Sequence, residues 1–413
     1  MKIDSFLIPL AVLFASVASA PATAEVVRIA HVDAFSGPAS ALNKNFDNTL
    51  RYSIDLANAN HWAGPGITFE AVDFDGKNSV QDSLLQLKSA TDQGIRYVFQ
   101  GGSSSIGLAL IDAVNRHNER NPSKEVLIIN PTNQAAELTN EKCSFWYFNF
   151  DANTNMRSEG LTAHIEKNKS IRKVYLINQN YSLGQQTSSS IKRDLKRKRP
   201  DIEIVGDDLH PMLQVKDFTP YVAKIRASGA DVIITANFSA DLVLLLKAMK
   251  EAGLNLPMYT YNAGTTGGPT ALAAAGVENV KLLTYWVPND NISASRSVID
   301  AFRAKYNDDF ALVPWYNAVR MLAQGIKDAK STESLAVEKA MEGMKIKTLN
   351  GEIEMRKSDH QVLQQLLIAD WTKVDNKEVV YDFEKTGYGF KVIDKIPAYA
   401  ASTPTSCQMK RPG

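Results

Sequence analysis

The segment FQGGSSSIGLAL (99–110) places two glycines and three serines between an aromatic strand end and an apolar run with helical spacing. Such residues suit a serine nucleophile, a phosphate-binding loop or a pocket for a small anion. A nucleophile elbow needs Gly-x-Ser-x-Gly, and Gly107 follows Ser103 two residues too late for it. A Walker loop needs a lysine after its last glycine, but no lysine lies between Lys88 and Lys124. The spacing therefore argues against the first two sites.

The third kind of site has a clear physical basis. Serine hydroxyls and free N–H groups at a helix N-terminus offer several donors to one carboxylate, and glycines let a ligand approach the backbone closely. Serines are also favoured helix N-cap residues. Because capping and anion binding use the same donors, this segment alone does not distinguish them.

The remaining polar residues suggest no catalytic chemistry. The histidines are scattered, with no pair at i, i+4 beside a carboxylate, so no metal site is expected; they are His31, His61, His117, His164, His210 and His360. No nucleophile and base assemble, and we expect neither an enzyme nor a cofactor. The formal net charge is +1 over 413 residues, which argues against a nucleic-acid partner.

The first 24 residues differ from the rest of the chain. A basic Lys2 precedes the apolar run 6–19, and small residues lead to Ala24. A run of about 14 apolar residues is shorter than the ~20 that cross a bilayer, so we expect a signal peptide cleaved after Ala24 and export to the periplasm. The only two cysteines, Cys143 and Cys407, could form one disulfide there, although the sequence does not show whether they meet.

The pattern of elements predicts an α/β protein. β-branched runs separated by amphipathic helical runs occur in two series; the predicted strands are 26–32, 67–74, 95–100 and 125–130, then 173–178, 202–208, 231–236 and 257–261. Strands separated by helices of this length pair in parallel with right-handed crossovers, which predicts doubly wound sheets. The extended aromatic segment 142–151 lies between the series and is predicted to cross between two lobes. A helical block spans about 291–343, and a strand is predicted at 362–371.

Several stretches, in this order, give the chain a family resemblance: VRIAHVDAFSGPAS, DFDGKNSVQDSLLQLKSATDQGIRYVFQGGSSS, LIINPTNQAAELT, LINQNYSLGQ and ADVIITANFSADLVLLLKAMKEAGL. The chain resembles the leucine/isoleucine/valine-binding family of periplasmic solute-binding proteins, which have the type I fold and serve branched-chain amino acid ABC transporters. The resemblance implies a monomer of two doubly wound parallel-sheet lobes joined by three crossing segments. The N-terminal lobe would comprise residues 25–146 and 287–358, and the C-terminal lobe residues 147–286 and 359–396, with a tail at 397–413.

The resemblance also implies ligand contacts in the cleft between the lobes. The first serine of the triplet, Ser103, stands where the family holds a ligand carboxylate, and Leu42 stands in place of an aromatic lid residue. The full set of implied contacts is Leu42, Ser103, Ser104, Ser105, Thr132, Asn133, Gln134, Tyr181, Phe238 and Asn262.

One position departs from the family. The acid that neutralises a ligand ammonium is replaced in YNAGTTGG by Asn262 or Ala263. An ammonium buried without a countercharge is costly, which favours an ammonium-free aliphatic or aromatic acid as ligand. Asp241, Glu137 or another acid could replace the charge, so an amino acid remains open. We therefore expect the substrate-binding component of an ABC importer, whose partners are a carboxylate- or amide-bearing ligand and a membrane permease; a sensing receptor of the same fold is the alternative.

Overall fold

The computed structural model describes residues 25–37 and 39–412, so the predicted signal peptide lies outside the described residues. Five parallel strands form the first sheet, in the order β2-β1-β3-β4-β5. They are β1 Glu25–Asp33, β2 Ile67–Asp75, β3 Tyr97–Phe99, β4 Leu127–Asn130 and β5 Tyr147–Asn149. The helices that follow the first three strands are α1 Ser40–Ala59, α2 Val80–Asp92 and α3 Ser104–Arg120.

The second sheet has seven strands in the order β15-β14-β10-β9-β8-β6-β7. Its parallel strands are β6 Lys173–Gln179, β7 Glu203–His210, β8 Val232–Thr235, β9 Met258–Thr260 and β10 Val280–Thr284. Two antiparallel strands complete it, β14 Leu366–Lys373 and β15 Tyr388–Ile396. Its helices are α4 Thr154–Lys167, α5 Ser182–Lys198, α6 Thr219–Ser228, α7 Ser239–Glu251 and α8 Gly268–Ala275.

The rest of the described chain packs around these sheets. Three helices form the block predicted at 291–343, namely α9 Ile292–Tyr306, α10 Val313–Ala329 and α11 Ser334–Met341. A small antiparallel sheet follows, made of β11 Lys345–Thr348, β12 Gly351–Met355 and β13 Val362–Leu363. The short helix α12 is Ala398–Ala401. Among the described residues, no helix combines the length and apolar character needed to cross a membrane.

Both lobes use one strand order. The order β7-β6-β8-β9-β10 in the second sheet repeats β2-β1-β3-β4-β5 in the first. In such sheets the connections leave in opposite directions on either side of the first strand, and ligands bind at the carboxyl ends beside that switch point. The predicted architecture of two doubly wound α/β lobes is confirmed, and the repeated order gives each lobe an equivalent binding edge.

Some predicted strands differ from the structure, whereas the expected lobe boundaries at 146 and 358 stay predictions. The predicted strand 362–371 is two strands, since the Gln364 side chain bonds to Phe150 O (2.8 Å) and Asn350 Nδ2 (2.9 Å) between them. The first sheet continues past the expected lobe boundary at 146, because the aromatic segment adds β5 as an edge strand. The small sheet straddles the expected boundary at 358. Strands β10, β11, β12 and β15 were not predicted.

The tail is attached to the first crossing segment. Cys143 and Cys407 are joined by a disulfide, with their Cα atoms 5.7 Å apart. Nearby, Thr405 Oγ1 donates to Thr139 O at 2.9 Å, and Ser406 N donates to Asn140 Oδ1 at 3.0 Å. These bonds hold the mostly irregular end of the chain against the N-terminal lobe.

Candidate ligand-binding site

The loops after equivalent strands of the two lobes meet at one cavity. In the first lobe they follow β1, β3 and β4, and in the second lobe they follow β6, β8 and β9. The cavity has about 790 Å³ of empty space, part of it open to solvent. The predicted contacts that line it are Leu42, Ser103, Ser104, Thr132, Asn133, Gln134, Tyr181, Phe238 and Asn262. Ser105 lies in the first turn of α3 and is not among the lining residues.

The two glycines, Gly101 and Gly102, make their contacts within the protein. Asp33, at the end of β1, accepts the N–H groups of Gly101 (2.9 Å) and Gly102 (2.7 Å). A Cβ on Gly102 would lie 2.5 Å from Asp33 Oδ1, and one on Gly101 would lie 2.2 Å from Thr132 Oγ1. The glycines are therefore needed for close approach of these side chains, and their N–H groups are already used.

Ser103 is positioned to donate to a ligand. It is the N-cap residue of α3, yet its side chain makes no capping hydrogen bond. The neighbouring Ser104 Oγ instead accepts the N–H of Ala135 at 3.3 Å. Ser103 therefore does not cap α3 through its hydroxyl, and it lines the cavity at the positive end of a 17-residue helix.

The two lobes touch across the cavity. Gln134 Nε2 donates to Asn262 Oδ1 at 3.3 Å, and Ala136 N donates to Gln186 Oε1 at 2.5 Å. Asn262 Nδ2 in turn donates to Ala236 O at 2.7 Å. The Asn262 amide is therefore engaged on both its oxygen and its nitrogen, and it links the lobes at the position where the resemblance implies an acid.

Apolar and aromatic side chains form much of the wall. Tyr181 and Phe238 face each other edge to face, with ring centroids 6.4 Å apart. The other large apolar lining residues are Leu42, Phe46, Leu183, Tyr261, Leu282, Tyr285, Trp286, Val287, Leu312 and Phe383. This wall suits an aliphatic or aromatic ligand side chain.

A buried ion pair in the wall was not predicted. Asp151 Oδ1 lies 2.5 Å from Arg157 Nη2, and both side chains are almost fully buried. Arg157 is fully engaged, because Nε donates to Ala152 O (3.0 Å) and Nη1 to Leu283 O (3.2 Å). Burial raises the pKa of Asp151 to about 6, and Arg157 opposes that rise. The sequence offered one signal: an acid that ends the aromatic segment 142–151, directly before a helix.

Four buried polar atoms of the cavity wall have no hydrogen-bond partner within the part of the chain that the structure describes. They are Asp151 Oδ2, Gln134 Oε1, Tyr261 Oη and Trp286 Nε1. Buried polar groups without partners are rare in folded proteins. The carboxylate oxygen of Asp151 and the amide oxygen of Gln134 can only accept hydrogen bonds, and the indole N–H of Trp286 can only donate one. The cavity therefore suits a ligand that carries both donors and acceptors.

Sequence comparison assigns the chain to a family. Residues 26–377 match the family model described as periplasmic binding protein. The chain belongs to the periplasmic binding protein family. Members of this family are binding proteins rather than enzymes, and they act in the periplasm.

Individual relatives agree with the family. This periplasmic binding protein is 30% identical over 412 residues to "Leu/Ile/Val-binding protein homolog 4" of Brucella melitensis, covering 96% of this chain and 95% of that protein. A Brucella ovis leucine-, isoleucine-, valine-, threonine-, and alanine-binding protein, solved in a closed conformation, matches with TM-score 0.82 and 28% identity, covering 94% of this chain and 100% of that one.

A more distant structure shares the fold with a different ligand. A solute binding protein of an ABC transporter from Rhodopseudomonas palustris, in complex with 3,4-dihydroxy benzoic acid, matches with TM-score 0.77 at 16% identity. The match covers 90% of this chain and 98% of that one. The periplasmic binding protein described here is therefore of the branched-chain amino acid type, in a fold that holds both amino acids and aromatic acids.

Proposed function

We propose that this periplasmic binding protein closes its two lobes on a small amino acid with an apolar side chain and delivers it to a membrane ABC permease. The α-carboxylate binds the Ser103 hydroxyl and the N-terminus of α3. The α-ammonium binds Asp151 Oδ2 and Gln134 Oε1. The apolar side chain packs against the aromatic wall formed by Tyr181 and Phe238.

The observation that carries the proposal is Asp151 Oδ2, a buried carboxylate oxygen at the cavity for which the described residues supply no hydrogen-bond donor. This carboxylate supplies an acid at the cavity although Asn262 replaces the usual one. Arg157 already holds the other oxygen, at 2.5 Å, and balances one charge. A zwitterionic amino acid brings no net charge to this neutral pair, whereas an ammonium-free acid brings an uncompensated negative charge into a buried site.

Hydrogen bonding favours the same ligand. Asp151 Oδ2 and Gln134 Oε1 both accept, and an ammonium donates to both. A carboxylic acid without an ammonium leaves the two acceptors unpartnered, which sites built around polar groups discriminate against strongly. The sequence alone favoured an ammonium-free acid as ligand. Binding of such an acid is therefore the alternative result that the experiment must distinguish from binding of an amino acid.

The test compares matched ligands on the wild-type protein. Leucine, isoleucine and valine are screened by thermal unfolding beside 4-methylpentanoate, which is leucine without its ammonium, and beside benzoate. We expect an amino acid at 100 times its Kd to add about 2.7 kcal/mol of stability, and the ammonium-free partners to add none. Stabilisation by 4-methylpentanoate or benzoate alone would overturn the assignment of Asp151.

The role in import is tested separately, by measuring uptake in cells. A bacterial strain without this protein is expected to lose high-affinity uptake of the radiolabelled amino acid identified in the screen, and the plasmid-borne gene is expected to restore it. Unchanged uptake in the deletion strain, with the transport genes intact, would contradict the role in import but leave the ligand assignment standing.

A further inference from the structure

A second cluster of ionisable side chains lies outside the ligand cavity. Glu338 is on α11, Glu342 follows that helix directly, and His360 lies just before β13. His360 Nε2 is 3.0 Å from Glu342 Oε1 and 3.4 Å from Glu338 Oε1. All three ligand atoms lie within 4.8 Å of one another. We call this group the Glu338 cluster.

The environment of Glu338 is unusual. Its side chain is fully buried, and neither carboxylate oxygen has a hydrogen-bond partner among the described residues. A buried carboxylate in that state is costly unless another group supplies charge or hydrogen bonds. Since the carboxylate points at His360 Nε2, a group bound between the two side chains would relieve that cost.

The position of His360 is fixed from several sides. Its ring stacks on Phe148 with centroids 4.3 Å apart and an interplanar angle of 2°. Its carbonyl accepts the N–H of Asn149 at 2.9 Å, which ties it to β5. Its backbone has φ 54°, in the left-handed region that is uncommon for residues other than glycine. The imidazole is therefore held towards the two glutamates by surrounding structure.

The spacing of the three atoms suits a small divalent cation. Two ligands at about 2.0–2.1 Å from tetrahedral zinc lie roughly 3.3–3.4 Å apart, and one nitrogen with two carboxylate oxygens is a common donor set. The observed separations of 3.0 and 3.4 Å bracket that value. Three protein ligands leave a fourth position for water.

Cationic side chains already approach one edge of the cluster. Arg411 Nη1 lies 2.5 Å from Glu342 Oε1, and Lys357 Nζ lies 3.8 Å from Glu342 Oε2. Both are partly exposed, with 40% of the Arg411 side chain accessible to solvent. The cluster thus attracts positive charge, and Arg411 can move out to solvent when a cation enters.

We infer that Glu338, Glu342 and His360 bind one divalent transition-metal ion of the zinc class, at the junction of α11 with the segment that leads into β13. Glu338 and Glu342 are four positions apart, but His360 follows 18 positions later with no histidine or cysteine between them, so the sequence did not reveal the site. The inference does not depend on the proposed ligand, because none of the three residues lines the ligand cavity.

The test uses the untagged mature protein and Zn²⁺ alone. We expect one Zn²⁺ per chain by calorimetry and by elemental analysis after dialysis. Glu338→Gln, which keeps the side-chain volume, and His360→Asn, which tolerates the left-handed backbone, are each expected to weaken binding at least tenfold. Both variants are first checked for a native circular dichroism spectrum, and anomalous scattering at the zinc edge locates the ion in wild-type crystals.

A matched control comes from a second group of the same residue types. His31, Asp47 and Asp73 also lie close together, but Arg51 pairs with both of their carboxylates. In the Glu338 cluster, Arg411 pairs with Glu342 alone, and Glu338 has no hydrogen-bond partner among the described residues. Asp73→Asn is therefore expected to leave zinc stoichiometry at one per chain. No zinc retained by the wild-type protein, or zinc lost with Asp73→Asn and kept with Glu338→Gln, would overturn the inference.

Discussion

Ser103 and Ser105, both near the start of α3, differ in their position relative to the cavity. Ser103 lines the cavity and does not cap its helix through its side chain, whereas Ser105, two residues later in the first turn, is not a lining residue. The family resemblance singled out Ser103 and placed Ser104 and Ser105 beside it as further contacts. The structure places Ser103 and Ser104 at the cavity and Ser105 away from it.

The serines supply a matched pair of variants. Ser103→Ala removes a hydrogen bond to a charged ligand group, which is worth about 1.5–3 kcal/mol, so the affinity should fall roughly tenfold to a hundredfold. Ser105→Ala should leave it unchanged within about twofold. Calorimetry with the best amino acid ligand measures both, and equal losses in the two variants would argue against Ser103 as the carboxylate contact.

At the scale of elements, one buried network joins β1 to the loop that follows β3. His31 Nε2 lies 3.2 Å from Asp33 Oδ2, and Asp33 holds the backbone of Gly101 and Gly102. The other ring nitrogen of His31 is 3.5 Å from Asp47 Oδ1 on α1. The network therefore fixes the loop that carries Ser103.

This network predicts a pH dependence of stability. Burial alone would lower the pKa of His31, but the hydrogen bonds and charges of Asp33 and Asp47 outweigh it and raise the pKa to about 9. Asp73, 3.9 Å away, and Arg51, which pairs with both Asp47 and Asp73, complete the charged surroundings. A histidine whose pKa is higher in the folded than in the unfolded protein stabilises the fold fully at pH values below the unfolded pKa. That contribution is lost as the pH rises through the pKa of the folded state.

The free energy of unfolding should therefore fall between about pH 6.5 and pH 9, by on the order of 2–3 kcal/mol. Urea titrations at half-unit steps measure it. His31→Gln should remove most of the slope over this window, while His61→Gln, at an exposed turn, should keep it. A wild-type stability that is flat or rises from pH 6.5 to 9 would contradict a charged His31.

Elements with strong periodicity could be predicted, and the others could not. The parallel strands of both lobes and their helices follow from buried β-branched runs between amphipathic segments. β10 was not predicted because VKLLT is a short, mostly apolar run of five residues. β15 was not predicted because YGFKVIDKI mixes a glycine and charged residues with its apolar ones. Asp151 was not predicted as a cavity residue. Its pairing with Arg157 and its place in the cavity depend on tertiary contacts, which residue types alone do not reveal.

At the scale of the whole molecule, the equivalent strand order of the two lobes explains why the candidate site residues of both lobes lie in one cleft. Each lobe presents the carboxyl ends of its first, third and fourth strands, and the structure holds the lobes together through Gln134 and Asn262, 3.3 Å apart. A ligand that contacts both lobes stabilises this closed arrangement by its differential affinity for it. In the proposed binding mode, Ser103 from one lobe contacts the ligand carboxylate, and Asp151 beside the crossing contacts its ammonium.

The most direct test is a crystal structure of the protein with the amino acid that stabilises it most. The account predicts the ligand in the cleft, its carboxylate within hydrogen-bond distance of Ser103 Oγ and its ammonium within hydrogen-bond distance of Asp151 Oδ2. A ligand bound in the cleft with its ammonium directed away from Asp151, or a ligand bound outside the cleft, would contradict it.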